Sequence, residues 1–208
     1  MTDPSDPTFI EFALTLMHSR QNVLPRHLEE PGPQAQQLQD ILGAAAAAPD
    51  HRQLLPWRFV VVPPNQRQRL AQVFSQALLD RDPHATSEQM ERASEKAHRA
   101  PFLMLAIVRL HEDPAPELAG AAHEGEVGAG ERLVSLGCAI QNIVLAAHAA
   151  GFGTGLTSGQ ALVNPGLRAL FSLSEHEQAV CCINIGSVSK RKPRRLRPRV
   201  ADYVSELG

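Results

Sequence analysis

Residues 131–155 read ERLVSLGCAIQNIVLAAHAAGFGTG, the longest strongly patterned stretch of the chain. In its first twenty residues, apolar side chains cover most of the helical circumference, with Leu136, Ile140 and Ile143 on one stripe. A helix that is apolar nearly all round lies in the centre of a protein or in an interface between subunits. We therefore predict a long central helix over 131–150.

The glycines that follow this helix, GFGTG at 151–155, look like half of a dinucleotide-binding fingerprint. That fingerprint needs a strand before the glycines and a helix after them, so that the helix N-terminus meets the pyrophosphate. Here the glycines follow a helix, which favours Gly151 as its C-terminal cap and then a tight turn. We expect LTSG at 156–159 to be an open polar segment, either an ordinary turn or a ligand contact.

Outward from this helix, three runs of apolar and β-branched residues predict buried strands, at 58–62, 102–110 and 179–188. Helical spacing and capping patterns predict further helices at 9–17, 34–47, 66–79, 86–99 and 164–171. The helices and strands alternate without an internal repeat or an interdomain linker. We therefore predict one domain over residues 1–208, of the α+β class (layered α/β), with a sheet flanked by helices.

The composition argues against several classes of protein. No uninterrupted apolar run approaches the roughly 18 residues that a membrane helix needs, and the acidic N-terminus lacks the order of a signal peptide. Cys138, Cys181 and Cys182 lie in apolar stretches, as expected of buried thiols in a reducing cytosol. The nine histidines show no metal-binding spacing, so we expect a cytoplasmic protein without a metal and without a membrane partner.

Charge is distributed unevenly along the chain. Residues 190–199, KRKPRRLRPR, hold seven basic groups and no acid, whereas the other 198 residues hold 13 basic and 22 acidic groups. This segment is either a tail for nucleic acid or a membrane, or a counter-charge for an anion bound to the fold. It has no aromatic residue for base stacking, and Tyr203 and Val204 predict that the chain packs down after it, which favours the anion.

Two polar segments are candidate ligand contacts. SRQN at 19–22 offers a guanidinium fork and two amides, which suit a phosphate or a heterocycle edge, although a solvated helix end is the alternative. APDHRQLLPWRF at 48–59 joins a helix that Pro49 ends to a strand that Trp57 anchors. Because no serine-hydrolase elbow or other catalytic set is present, we expect a bound cofactor to carry the chemistry.

Together these segments resemble the nitroreductase family of FMN-dependent oxidoreductases, from about Leu16 to Val204. The resemblance rests on the order and spacing of five segments: Arg20-Gln21-Asn22, APDH…PWRF at 48–59, Arg99-Ala100-Pro101, the helix ending in Gly-Phe-Gly, and 185–188. It implies a mostly antiparallel central sheet. It also implies a homodimer in which the long central helix packs against its mate, with Ile140 at the interface, and two FMN clefts built from both chains.

The resemblance also implies which residues bind. The expected FMN contacts are Arg20, Gln21 and Asn22 at the pyrimidine edge and ribityl phosphate, His51 reaching the FMN of the partner subunit, Leu156, Thr157 and Ser158 along the isoalloxazine, and Arg195 or Arg197 on the phosphate. The nicotinamide nucleotide is expected near the end of the central helix, at Ala146, Ala147, His148, Ala149, Ala150 and Gly151.

The implied activity is electron transfer from NAD(P)H through FMN to a small organic acceptor, such as a nitroaromatic or a quinone, by a ping-pong mechanism without nucleic acid. Two alternatives stay open: a flavin-binding store or sensor without turnover, and a nucleic-acid-associated protein that uses the basic segment. The chain departs from the family pattern at Asn22, where a serine is usual, and at Ala47, where the small subgroup of the family that the chain resembles most has an arginine. Gln53 and Leu55 replace the asparagine and glutamine of larger members.

Overall fold

A mostly antiparallel five-stranded sheet forms the middle of the protein. The computed structural model describes residues 7–111, 127–193 and 196–208. The strands are β1 (Leu28–Glu29), β2 (Trp57–Val61), β3 (Phe102–Arg109), β4 (Gly153–Thr157) and β5 (Glu177–Val188). The α-helices are α1 (Pro7–Ser19), α2 (Ala35–Gly43), α3 (Arg67–Arg81), α4 (Ser87–Ser94), α5 (Ala129–Ala149) and α6 (Pro165–Leu170). These elements confirm the predicted α+β class.

The long strand β5 organises the sheet, because it pairs with β3 on one side and with β4 on the other. Strand β2 continues the sheet beyond β3, and the short β1 pairs with the last residues of β5. All of these strand pairs are antiparallel. The three predicted strands are confirmed within about two residues at each end, and β1 and β4 are additional.

Both faces of the sheet are covered, which explains why β3 is apolar without alternation. Met104 faces one core cluster, where α2 and α5 contribute Ile41 and Ile143. Leu103 and Leu105 of β3 face a second cluster, which α3 and α6 complete with Leu70 and Leu167. Successive side chains of a strand point to opposite faces, so one strand serves both cores.

Local capping signals locate the helix ends. The hydroxyl of Thr86 accepts a hydrogen bond from the backbone N–H of Gln89, whose side chain accepts one from the N–H of Thr86, and α4 begins at the next residue. Asn164 caps α6 in the same way, through the N–H of Gly166 at 2.8 Å. Gly151 has φ +89° and ends α5, as predicted.

Strand β4 corrects the prediction of a tight turn and an open polar segment after Gly151. Residues 153–157 are extended and pair in register with β5, from Gly153 opposite Gly186 to Thr157 opposite Cys182. Glycine has a low β propensity because it has no side chain to pack against neighbouring strands. The strand β5, which pairs with this segment, lies some thirty residues further along the chain, so no local pattern predicts the pairing.

Helix α5 is buried on one side within its own chain. Leu136, Ile140 and Ile143 belong to the core, so the expectation that Ile140 faces a partner subunit is wrong. The outward side carries the exposed residues Leu133 and Val134. By length and composition α5 could cross a membrane, contrary to the sequence-based expectation, but it packs against the sheet as a core helix does.

Helix α1 contributes no buried residue to the described chain. Its exposed apolar side chains are Phe9, Ile10, Phe12, Leu14 and Met17. Tyr203 and Val204 are also exposed, so the prediction that the chain packs down after the basic segment is wrong for a single chain. An apolar helix without a buried face is typical of a surface that another chain covers.

Candidate functional site

The segment after α1 lies along β4, which brings two predicted groups of site residues together. Asn22 forms a parallel bridge with Thr154, and the N–H of Val23 donates to the carbonyl of Thr154 at 2.8 Å. The side-chain oxygen of Asn22 accepts a hydrogen bond from the N–H of Leu156 at 3.0 Å. The asparagine that replaces the family's serine therefore fixes the position of the strand.

Two glycines of β4 permit this close approach. A Cβ atom at Gly155 would lie 2.3 Å from the carbonyl oxygen of Val23, and one at Gly153 would lie 2.4 Å from the side chain of Val188. A contact this short with a backbone oxygen is not tolerated, so a side chain at Gly155 would move the 20–23 segment off the strand, whereas one at Gly153 would first have to displace the side chain of Val188.

One end of β4 borders a small cavity lined by cations. The cavity, of about 20 Å³, lies between the 19–23 segment, the end of α5 and the basic segment, and it includes Arg20, His148 and Arg191. Arg197 joins this group by donating to the carbonyl of Arg20 at 2.8 Å. No acidic side chain lines the cavity among the described residues.

These cations carry an electrostatic cost that an anion would relieve. Burial and then the charge of Arg197 lower the pKa of Arg20. Burial, followed by Arg191 and Arg20, also lowers the pKa of His148, whose Nε2 lies 2.8 Å from the hydroxyl of Ser19. Like charges held together in a partly buried place disfavour their own protonated forms, and a phosphate would reverse that effect.

The other end of β4 opens into a large cavity, of about 710 Å³. Apolar side chains of α3 and β3, including Phe74, Leu78 and Leu103, line it together with the hydroxyls of Thr157 and Ser158. Its size lies within the usual range for small-molecule sites. Thr157 is held in place by Asn184, a buried side chain that donates to the Thr157 hydroxyl at 3.3 Å and to the Gly155 carbonyl at 3.0 Å.

One wall of this cavity was not predicted from the sequence. The charged side chains that line it are Arg81, Arg92, Lys96 and Arg99. The last three are spaced at i, i+4 and i+7, which places them on one face of α4 and the 3-10 turn that follows it. The spacing of these three residues in the sequence indicates a basic helix face. A charged helix face is usually interpreted as one in contact with solvent, so the spacing alone does not predict a cavity.

Cys182 also borders the large cavity, at its floor. Burial raises the pKa of this thiol to about 12, and burial raises that of the adjacent Cys181 to about 11. Both thiols are therefore protonated at neutral pH and do not provide a nucleophile.

The structure does not bring His51 to the same place within one chain. His51 lies before β2, and β3 and β5 separate β2 from β4 in the sheet. Its Nδ1 lies 3.4 Å from a carboxylate oxygen of Glu131. In the same loop, Arg52, Gln53 and Leu55 have positive φ angles, a costly conformation for side chains of this kind.

The remaining predicted site residues lie as follows. In the segment 146–151, Ala147 is buried in the core, His148 lines the small cavity, and the last three residues are exposed. Arg195 lies outside the described residues, so its expected phosphate contact stays a prediction. Within the described ranges, no three histidine, cysteine, aspartate or glutamate side chains converge as a metal site.

Comparisons with known proteins agree with this architecture. The family model described as "Nitroreductase family" matches residues 25–187. A protein of Escherichia coli strain K12 named "Putative NAD(P)H nitroreductase YdjA" is 31% identical over 175 residues, which cover 84% of this chain and 87% of that protein.

Two solved structures share the fold. A nitroreductase-like family protein from Bacillus cereus matches with a TM-score of 0.77 and 17% identity, over 100% of this chain and 98% of that chain. An iodotyrosine deiodinase bound to FMN and 3-iodo-L-tyrosine matches with a TM-score of 0.64 and 19% identity, over 90% and 95% of the two chains. The family model spans most of the sequence, and the chain therefore belongs to the nitroreductase family.

Proposed function

We propose that this protein is an FMN-dependent oxidoreductase, which passes electrons from NAD(P)H through bound FMN to a small organic acceptor such as a nitroaromatic or a quinone. One observation carries the proposal: β4 connects a cationic cavity at one end to a large, mainly apolar cavity at the other. The name of the Escherichia coli relative and the FMN bound to the deiodinase support the same cofactor and donor.

The residues present fit FMN along its length. Arg20, Arg191 and Arg197 would hold the phosphate, since guanidinium forks and phosphates pair in bidentate fashion. Gln21 and Asn22 would lie beside the ribityl chain and the pyrimidine edge. The ring system would occupy the large cavity against Thr157 and Ser158, next to Leu156 of β4, which precedes them and does not itself line the cavity. The five residues from Gly153 to Thr157 span about 13 Å, a length suited to a phosphate, a five-carbon chain and a ring.

Bound FMN supplies the electron-transfer chemistry, and the chain supplies position and charge. A cation of the α4 wall would stabilise the negative charge that develops on the pyrimidine edge during reduction. The apolar side chains of Phe74 and Leu78, which line the same cavity, would limit the access of water to the bound ring. One open face that receives the nicotinamide and then the acceptor gives a ping-pong cycle.

A second copy of the chain completes the site in this proposal. Because His51 lies across the sheet from β4, it would reach the FMN of its partner in a homodimer. The apolar surface of α1 and the outward side of α5 would be covered in the same assembly. The nicotinamide site near 146–151, a cytoplasmic location and the absence of nucleic-acid and membrane partners belong to the same proposal.

The test is the visible spectrum of the purified protein before and after anaerobic addition of NADH or NADPH. We expect flavin absorbance that the nucleotide bleaches and that a nitroaromatic or quinone restores. A yellow protein that neither nucleotide bleaches would instead be a flavin store or sensor. A colourless protein with steeply salt-dependent DNA binding would have a nucleic-acid function.

A further inference from the structure

The large cavity is more cationic than a flavin requires. Its four charged lining side chains, Arg81, Arg92, Lys96 and Arg99, are all basic. Arg92 pairs with the exposed Glu88 one turn earlier in α4, and Arg99 lies 3.6 Å from Glu95. In the part of the chain that the structure describes, neither Arg81 nor Lys96 pairs with an acid.

This concentration of positive charge runs against the rest of the protein. Outside residues 190–199, the chain has 13 basic and 22 acidic groups, yet no acidic residue lines this cavity in the described ranges. The proposed phosphate site lies at the other end of β4 and has its own arginines. A reduced flavin carries one negative charge, and one cation of the wall is enough to compensate it. The remaining cations have no partner in the proposed cofactor.

We propose that Arg81 and Arg92 bind the anionic group of the electron acceptor, so that the enzyme prefers aromatic acceptors with a carboxylate or sulfonate. This inference rests on the proposed function and specifies its substrate class. Arg81 is the last residue of α3 and Arg92 lies on α4, and both side chains are exposed at the cavity. Phe74 and Leu78 line the same cavity and offer an apolar surface to an aromatic ring.

The 2′-phosphate of NADPH is the other anion that could reach this cavity. That phosphate is on the adenosine half of the nucleotide, far from the nicotinamide that reacts. The cations of this wall are instead next to the apolar lining of the ring cavity, which suits a small molecule with a charged substituent.

The experiment compares 4-nitrobenzoate with its neutral analogue 4-nitrobenzamide as acceptors for the FMN-loaded enzyme. Reduction of either nitro group to the hydroxylamine consumes two NAD(P)H and two protons and releases one water. The variants are Arg81→Gln, Arg92→Gln and the double variant. The matched control is Arg69→Gln, because Arg69 is an exposed arginine of α3 that does not line the cavity. For each protein we take the ratio of kcat/KM for nitrobenzoate to kcat/KM for nitrobenzamide. Comparing this ratio between variant and wild type removes the difference in chemical reducibility between the two acceptors.

We expect kcat/KM for nitrobenzoate, relative to nitrobenzamide, to fall about threefold in each single variant and about tenfold in the double variant. The control should keep the wild-type ratio, and added salt should reduce the preference of the wild type. An unchanged ratio in the double variant, with FMN retained, would overturn the inference and leave the proposed function standing.

Two other results would assign the cations elsewhere. Loss of FMN from the double variant would mean that these arginines hold the cofactor. A fall in the NADPH-to-NADH preference, measured with nitrobenzamide, would assign them to the nucleotide. A wild-type protein that binds no FMN would refute the proposed function itself, and the acceptor inference with it.

Discussion

At residue 20, a partly buried guanidinium lies next to two further arginines, and its pKa is lowered by burial and by Arg197. The folded chain therefore holds positive charge at a cost in free energy. A dianionic ligand that enters the cavity removes part of that cost. The site is therefore preorganised to bind a phosphate.

Replacement of this arginine tests the phosphate site. We expect Arg20→Ala to weaken FMN binding by about 1.5–3 kcal/mol, since a charge-assisted hydrogen bond is lost while Arg191 and Arg197 remain. Titration of the apoprotein by quenching of flavin fluorescence measures this change. Arg69→Ala should bind FMN as the wild type does, and an unchanged dissociation constant for Arg20→Ala would remove this residue from the site.

A second residue-scale prediction concerns Glu177, which is 8% exposed and receives hydrogen bonds from Arg58 at 2.6 and 2.8 Å. The hydrogen bonds from Arg58 lower the pKa of this carboxyl in the folded state. The folded protein therefore binds fewer protons here than the unfolded chain does. The stabilisation is present above the ordinary glutamate pKa of about 4.3 and is lost as the pH falls through the lowered value.

We expect Glu177→Gln to lower the free energy of unfolding by about 2 kcal/mol at pH 7, with a smaller difference from the wild type below about pH 4. Urea unfolding at both pH values measures this. Glu175→Gln, at an exposed neighbouring position, is the control and should change little. A Glu177→Gln deficit that is independent of pH would show that packing, and not charge, is responsible.

At the scale of the element, β4 depends on having no side chains at two positions. We expect Gly155→Ala to destabilise the fold by at least about 2 kcal/mol, because its Cβ would lie 2.3 Å from the Val23 carbonyl oxygen. FMN binding should weaken as well, since the 20–23 segment is displaced. Gly43→Ala, in a helical conformation with free space around it, should be neutral or stabilise by about 0.5–1 kcal/mol. Equal melting temperatures for wild type and Gly155→Ala would contradict the close approach.

Elements with local signals could be predicted from the sequence, and elements that depend on distant partners could not. The capping box of Thr86, the asparagine cap of α6 and the apolar run of β3 each express their structure within a few residues. Strand β4 lacks such a signal, because pairing with β5 and the close contact with Val23 stabilise it. The cationic wall of the large cavity was missed for a similar reason: a helix pattern does not show which face borders a cavity.

At the scale of the whole molecule, an uncovered apolar surface remains on α1 and on the outward side of α5. We expect Val134→Asp to dissociate the proposed homodimer without unfolding it, because Val134 is 65% exposed in the single chain. FMN should be released in parallel. Sedimentation velocity, circular dichroism and the flavin spectrum measure the three effects.

Two variants control for general damage. Ile140→Asp should unfold the chain, because Ile140 is buried in the core beside Ile143. Val163→Asp, at a residue with similar exposure to Val134 on a different element, should leave the oligomeric state unchanged. A dimeric Val134→Asp protein with full FMN content would place the interface elsewhere.

One part of the proposed site, the contact of His51 with FMN, could not be derived from a single chain. Arg20, Asn22 and Leu156 are brought together by β4, so their grouping has a physical basis within the fold. His51 would join them only in the proposed homodimer, and neither its spacing in the sequence nor its loop conformation indicates that arrangement. Its role came from the family resemblance alone and stays a prediction.

The contrast between the two walls of the large cavity has a consequence for protein engineering. One wall includes Thr157 at the end of β4, a strand in which any β-carbon at Gly155 would clash with the carbonyl oxygen of Val23. The opposite wall is built from exposed helical side chains such as Arg81 and Arg92, which can be exchanged at little cost to the fold. A library aimed at new acceptors should therefore yield its improved clones from α3 and α4, while randomised codons in β4 return mostly inactive ones.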